Sequence, residues 1–145
     1  MSATISSNVA PYADLPPVNI ALFEAKAREG LTFADIGKVL NRDEVWVAAA
    51  FYAQAKFNEE EIAKLTELFR FDKNYIANEI GTHWWPNRGL GEMPPKDPVI
   101  YRLYEFGDGI MSMINCKVLV EKKEDPAGDR VVLTFDGKFL PYSQW

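Results

Sequence analysis

The sequence predicts an α+β protein: an N-terminal helical bundle of helix-turn-helix type, a short linker, and a small domain of helix and strands. Three observations carry this. Apolar residues recur at helical spacing from Asn19 to about Glu79. A zone dense in Gly, Pro and Trp follows, from Gly81 to Asp97. Beyond it, β-branched and apolar residues gather in two runs around an Asp-Pro-Ala-Gly-Asp turn. The expected division is a leader over 1–18, a helical domain over 19–80, a linker over 81–97 and a C-terminal domain over 98–145. A length of 145 residues suits one domain or two small ones sharing an interface.

The leader is rich in Ser, Ala and Pro, with neither the apolar run of a signal peptide nor an Arg-rich amphipathic pattern. In the first helix Ile20, Phe23, Ala27 and Leu31 mark an apolar stripe, and Gly30 is placed as its C-cap. Thr32 can cap a second helix holding Phe33, Ile36 and Leu40, before a break at Asn41-Arg42. A third is expected from Asp43 to about Lys56. Asn58, with Glu61 three residues on, forms a variant capping box for a fourth helix through Ile62, Leu65, Leu68 and Phe69. Asp72 is expected to cap a fifth, carrying Tyr75, Ile76 and Ile80.

After Asp97-Pro98, a short helix with Pro in its first turn carries Tyr101-Arg102-Leu103-Tyr104-Glu105. Strands are expected over Ile110–Lys122 and Arg130–Phe135, with Asp125–Asp129 as the turn between them and Asp136-Gly137 as a second turn.

Composition removes several function classes. A hydrophobic fraction of 48% with four Trp supports a real core rather than disorder. The net charge of −5 is the wrong sign for a protein that lives on phosphate backbones. The helix-turn-helix pattern raises DNA binding as a rival, but the recognition position, Asp43 to Gln54, holds two acids and no Lys or Arg. It is better read as a packing or subunit-contact surface. No stretch is long enough to span a membrane. Cys116 is the one cysteine and His83 the one histidine, so no intramolecular disulfide forms and a Cys/His zinc site is ruled out. Cys116 reads as a small buried hydrophobe and His83 as a packed or loop residue. A reducing, cytoplasmic setting fits.

Arg102 and Glu105 stand three apart, on one side of a helix. Taken alone this is the pattern of a solvated ion pair. Then come Phe106-Gly107-Asp108-Gly109-Ile110-Met111-Ser112, a Gly-Asp-Gly turn and a Ser on an expected strand. Ser112 alternates in step with Ile110, Ile114, Cys116 and Val118, and a hydroxyl among apolar neighbours either has a structural partner or marks a pocket.

Both motifs, with Asp136-Gly137-Lys138-Phe139-Leu140-Pro141, resemble those of the cyanase (cyanate hydratase) family, and the similarity spans about Asn19 to Leu140. The resemblance implies a lambda-repressor-like helical domain that does not bind DNA, followed by a catalytic and dimerisation domain. It also implies bicarbonate-dependent decomposition of cyanate to ammonia and carbon dioxide through carbamate, a carbon–nitrogen lyase reaction. Arg102, Glu105 and Ser112 become the catalytic residues, with bicarbonate as co-substrate and no metal or organic cofactor. The implied assembly is a homodecamer of five dimers, with sites formed where chains meet. One departure stands out: the family has about 16 helical residues between the Glu and the Phe-Gly-Asp-Gly turn, roughly 24 Å of helix, whereas here Glu105 joins Phe106 directly. An inactive but still oligomerising relative of the enzyme is therefore the alternative.

Overall fold

Pro16-Pro17 starts the first helix, where a missing N–H costs nothing and the fixed φ is already helical. In the computed structural model, which describes residues 15–86, 94–101 and 114–138, helix α1 runs Pro17–Glu29. Gly30 ends it in the left-handed region at φ 65°; its N–H donates to Ala27 O while that of Leu31 donates to Lys26 O. This is the Schellman pattern that a glycine adopts without Cβ strain. The buried face is Val18, Asn19, Leu22, Phe23 and Ala25. Of the expected stripe only Phe23 is fully buried; Ile20 and Leu31 pack at the core's rim. Helix α1 starts two residues earlier than the pattern suggested, which moves Val18 and Leu22 into the centre.

Helix α2 (Phe33–Leu40) opens with the expected Thr32 cap, completed as a full capping box by Asp35. Asn41 closes it in the left-handed region, at φ 56°. The turn into helix α3 (Glu44–Phe51) is tight: a Cβ on Gly37 would lie 2.5 Å from the Arg42 carbonyl oxygen, so only glycine fits there.

Helix α3 stops at Phe51, well short of Lys56. Its last carbonyls explain this. The Asn19 side chain donates to Ala50 O at 3.2 Å and to Phe51 O at 3.1 Å, taking the acceptors a longer helix would use. Ala53 then turns left-handed at φ 59°.

Helix α4 (Glu59–Phe69) begins with the Asn58/Glu61 capping box. Helix α5 (Tyr75–Ile80) has Asn74 rather than Asp72 at its N-cap, and Asp72 takes part through its backbone carbonyl, which accepts from Tyr75 N.

Phe51 is the hub of the core. Its ring meets Phe23, Phe33, Phe57 and Phe69 edge-on at centroid distances of 5.4–6.5 Å. Such pairs add about 0.5–1.5 kcal/mol each beyond the area they bury. Every buried apolar side chain among the described residues lies between Leu15 and Ile80.

The chain divides into two compact units, 1–88 and 89–145. The described part of the second is a helical turn at 98–101 and an antiparallel hairpin, β1 (Ile114–Lys123) with β2 (Arg130–Lys138). The turn between the strands is the expected one. Asp125 accepts from Ala127 N and Gly128 N, and its carboxylate pairs with Arg130 at 3.1 Å. Gly128, at φ 123°, supplies a conformation other residues rarely adopt.

Asp136-Gly137 is a strand segment, not a turn: Asp136 pairs with Lys117 and Lys138 with Ile114. Three steps along β1 oppose two along β2, so the register slips between Ile114 and Lys117, and a glycine beside such an irregularity relieves crowding.

Candidate functional site

The three residues expected to do chemistry, Arg102, Glu105 and Ser112, lie outside the described residues. The elements that lead to them are described. Before Arg102, the Asp97 carboxylate accepts from Val99 N at 2.9 Å and Ile100 N at 3.0 Å, and Tyr101 N donates back to Asp97 O at 2.8 Å. With Pro98 next, this is a well-formed helix start, described as far as Tyr101.

After Ser112, β1 begins at Ile114. The register slips between Ile114 and Lys117, and Ser112 with the face expected for it lies outside the described residues.

Directly opposed residues of a hairpin share a face. Val118, Val120 and Lys122 face Phe135, Leu133 and Val131, while Lys117, Glu121 and Lys123 face Asp136, Val132 and Arg130. One face is thus apolar apart from Lys122, and the other mostly charged. The apolar face is open: Val131 is 75% exposed and Leu133 52%.

In the helical unit the polar groups are structural. Glu61, nearly buried, accepts from Asn58 N through one carboxylate oxygen and from Arg42 Nε, at 2.6 Å, through the other. The Arg42 guanidinium also lies 4.2 Å above the Trp46 ring, which packs on Phe57. This node ties the α2–α3 turn to the start of α4. The capping box was legible in the sequence; the Arg42 partner, 19 positions away, was not.

Asn19 was also missed. An amide in an otherwise apolar stripe was the available signal. Its Oδ1 is buried with no partner among the described residues.

Two surface carboxylates are held below the ordinary carboxylate range. Asp35 is lowered by the Thr32 hydroxyl and the Thr32 N–H, then Lys38, and Glu60 by Lys64 through a hydrogen bond at 2.7 Å. Both are helix-end devices rather than acid–base groups. His83 is an exposed loop residue beside half-buried Trp84, while Trp85 lies under Lys56 Nζ at 4.3 Å. A groove between α4 and α5, lined by Ile62, Thr66, Glu67, Arg70 and Lys73, includes none of the expected site residues. Among the described residues no cluster of His, Cys, Asp or Glu is placed to hold a metal ion, and no helix is long and apolar enough to cross a membrane.

Residues 105–144 match the profile described as the cyanate lyase C-terminal domain. A cyanate hydratase of Laccaria bicolor is 56% identical, over 98% of this chain and 96% of that protein. One from Coprinopsis cinerea is 59% identical over 89% of this chain and 96% of that protein. A cyanobacterial cyanate hydratase, from Trichormus variabilis, is 44% identical over 90% and 99% respectively. The crystal structure of cyanase from T. urticae superposes with a TM-score of 0.66 at 32% identity, covering 86% of this chain and 97% of that one.

The alignments also run longer than the stretches of this chain they span. They occupy 158, 145 and 147 positions, against about 142, 129 and 130 of its 145 residues taken from the stated coverages, a surplus of about 16 in each case.

Proposed function

The chain belongs to the cyanate lyase family, and we propose that its reaction is the bicarbonate-dependent decomposition of cyanate, carried by Arg102, Glu105 and Ser112. The observation that carries this is identity of 56% to a cyanate hydratase over nearly the whole of both chains, with both active-site motifs of the family readable in the sequence.

The residue types suit the chemistry. Cyanate and bicarbonate are both anions, so an acidic protein must supply local positive potential and directed donors. Arg102 offers a planar fork that matches a carboxylate-like anion and stays charged at any working pH. The Ser112 hydroxyl is a donor for the second anion. A bicarbonate oxygen adds to the electrophilic cyanate carbon, forming a C–O bond as the nitrogen takes up a proton. The adduct loses carbon dioxide and leaves carbamate. A second proton then releases ammonia and another carbon dioxide, so that one cyanate, one bicarbonate and two protons give one ammonia and two carbon dioxides. No electron changes hands, so the scheme calls for no redox group. Holding two anions in contact supplies much of the rate, and Arg102 and Ser112 spread the charge. Glu105 holds Arg102 in place or passes the proton. Glu105→Gln separates the two roles, because it keeps an acceptor for Arg102 but no titratable carboxyl.

A homo-oligomer, read as a decamer of five dimers, follows from the resemblance, and the open apolar face of the β1–β2 hairpin supports assembly. We place the protein in the cytoplasm. The test is ammonia release from cyanate with and without bicarbonate. Turnover is expected to need bicarbonate and to fall with Arg102→Ala; turnover indifferent to both would refute the assignment.

A further inference from the structure

The groove between α4 and α5 lies wholly within the helical unit and takes no part in the cyanate reaction proposed above. Its α4 side runs from Glu59 through Ile62, Ala63 and Thr66 to Glu67, spaced by threes and fours that keep them on one stripe of the helix. Phe71 and Ala77 add to the apolar lining. The Phe71 ring is set between Phe69 and Tyr75, with centroids 6.1 and 5.5 Å away, so this part of the lining is already in place.

Size decides what kind of occupant fits. The groove offers about 580 Å³, within the range of about 300–1,000 Å³ usual for small-molecule sites. As a docking strip it is one three-turn helix long, roughly 16 Å, and about 10 Å wide, far short of the roughly 800 Å² each partner gives to a stable protein complex.

Charge then narrows the class. Glu67 lines the groove one turn before Arg70, and Lys73 lies three residues beyond Arg70. Among the described residues none of these three makes an ion pair, although Glu60 and Lys64 on the same helix do. A plain anion would meet Glu67, and a plain cation would meet Arg70 and Lys73. A molecule carrying both charges a few ångströms apart satisfies both.

Arg70 is also an unexpected residue at its position. It closes α4 in the left-handed region at φ 56°, its N–H donating to Glu67 O at 3.3 Å while that of Phe71 donates to Thr66 O at 3.1 Å. Glycine fills this place with less strain, as Gly30 does at the end of α1. A guanidinium therefore stands at the groove's end where helix termination alone favours no side chain.

We propose that the α4–α5 groove is a binding site for a small zwitterion with an apolar body, of the class of an aliphatic α-amino acid. The carboxylate lies on Arg70, with Lys73 adding positive potential; the ammonium lies on Glu67, and the side chain rests on Ile62, Ala63 and Phe71.

The test is ligand-observed saturation-transfer NMR on the full chain, with L-leucine as the probe. Leucine is expected to bind with a Kd of about 1 mM, and N-acetyl-L-leucine and L-leucinamide, each lacking one charge, at least about tenfold more weakly. Arg70→Gly is expected to melt at a higher temperature than the parent chain and yet bind leucine at least about tenfold more weakly, so its loss of binding cannot be a loss of fold. Glu67→Gln should weaken leucine but leave N-acetyl-L-leucine unchanged, a selectivity that a structural role would not produce. No transfer to leucine overturns the inference, and so does equal binding by Arg70→Gly, which would put leucine elsewhere. N-acetyl-L-leucine binding as well as leucine would reduce the site to one for anions and refute the zwitterion. If Ala63→Trp lowers the mass seen by light scattering and leucine gives no signal, the groove belongs to a second copy of the chain and the inference falls.

Discussion

The two units of this chain solve the problem of a hydrophobic core in opposite ways. The helical unit finishes it internally: Phe51 sits among four aromatic rings, and helix ends are closed by Gly30, Thr32 with Asp35, and Asn58 with Glu61. The hairpin unit presents an apolar face of Val118, Val120, Val131, Leu133 and Phe135, and among these Val120, Val131 and Leu133 are exposed. The motifs proposed to carry the chemistry fall in the second unit, 89–145. Stability and activity should therefore respond to different substitutions, and the contrast can be pressed from both sides.

The largest effect is expected from Phe51→Ala. Removing the hub ring should cost about 3–5 kcal/mol, enough to bring the helical unit to the edge of unfolding in a urea titration. Next is Arg102→Ala, expected to lower bicarbonate-dependent turnover by about 100–1,000-fold while the melting of the helical unit stays put. A matched loss of melting temperature would erase the distinction between the units.

Third, Leu133→Lys should leave far-UV circular dichroism of the helical unit unchanged but lower the mass seen by light scattering, because it puts a charge on the open face. An unchanged mass would show that this face is not what joins copies. Glu61→Ala removes a cap and the Arg42 partner together, for a loss of about 2–3 kcal/mol by denaturant unfolding.

The smallest effect is that of Asp35. Its carboxyl is held below its ordinary value in the folded chain, so its contribution is complete above the unfolded-state value and fades as pH falls through the folded one. Unfolding midpoints of the chain and of Asp35→Ala should therefore differ near neutrality and converge in acid below the ordinary aspartate range. A gap that persists there would assign the effect to something other than charge.

How far the sequence could be read follows the range of each interaction. Capping boxes, the Gly30 terminus and the Asp125–Asp129 turn are local, so Thr32, Asn58 and Gly128 announce them within a few residues. Helix α3 was expected to continue to Lys56 because nothing nearby stops it. The residue that stops it, Asn19, is 31 and 32 positions away from the carbonyls it caps. The Asp136-Gly137 pair looked like a turn because the slipped register that makes it a strand belongs to the partner, β1. The proposed trio of Arg102, Glu105 and Ser112 rests on resemblance alone and lies outside the described residues. Spacing left Arg102 and Glu105 as an ordinary ion pair, since neither residue type nor interval separates a catalytic pair from a solvated one.

The double duty of Glu61 has a kinetic consequence. One carboxylate closes the first turn of α4 and grips Arg42, whose own N–H is bonded to Gly37 O at the end of α2. The start of α4 cannot fray without releasing that grip, and the α2–α3 turn cannot loosen without disturbing the cap. In deuterated water the amides of Glu61, Ile62 and Arg42 should then exchange with a single opening free energy, as one cooperative unit rather than three independent ends.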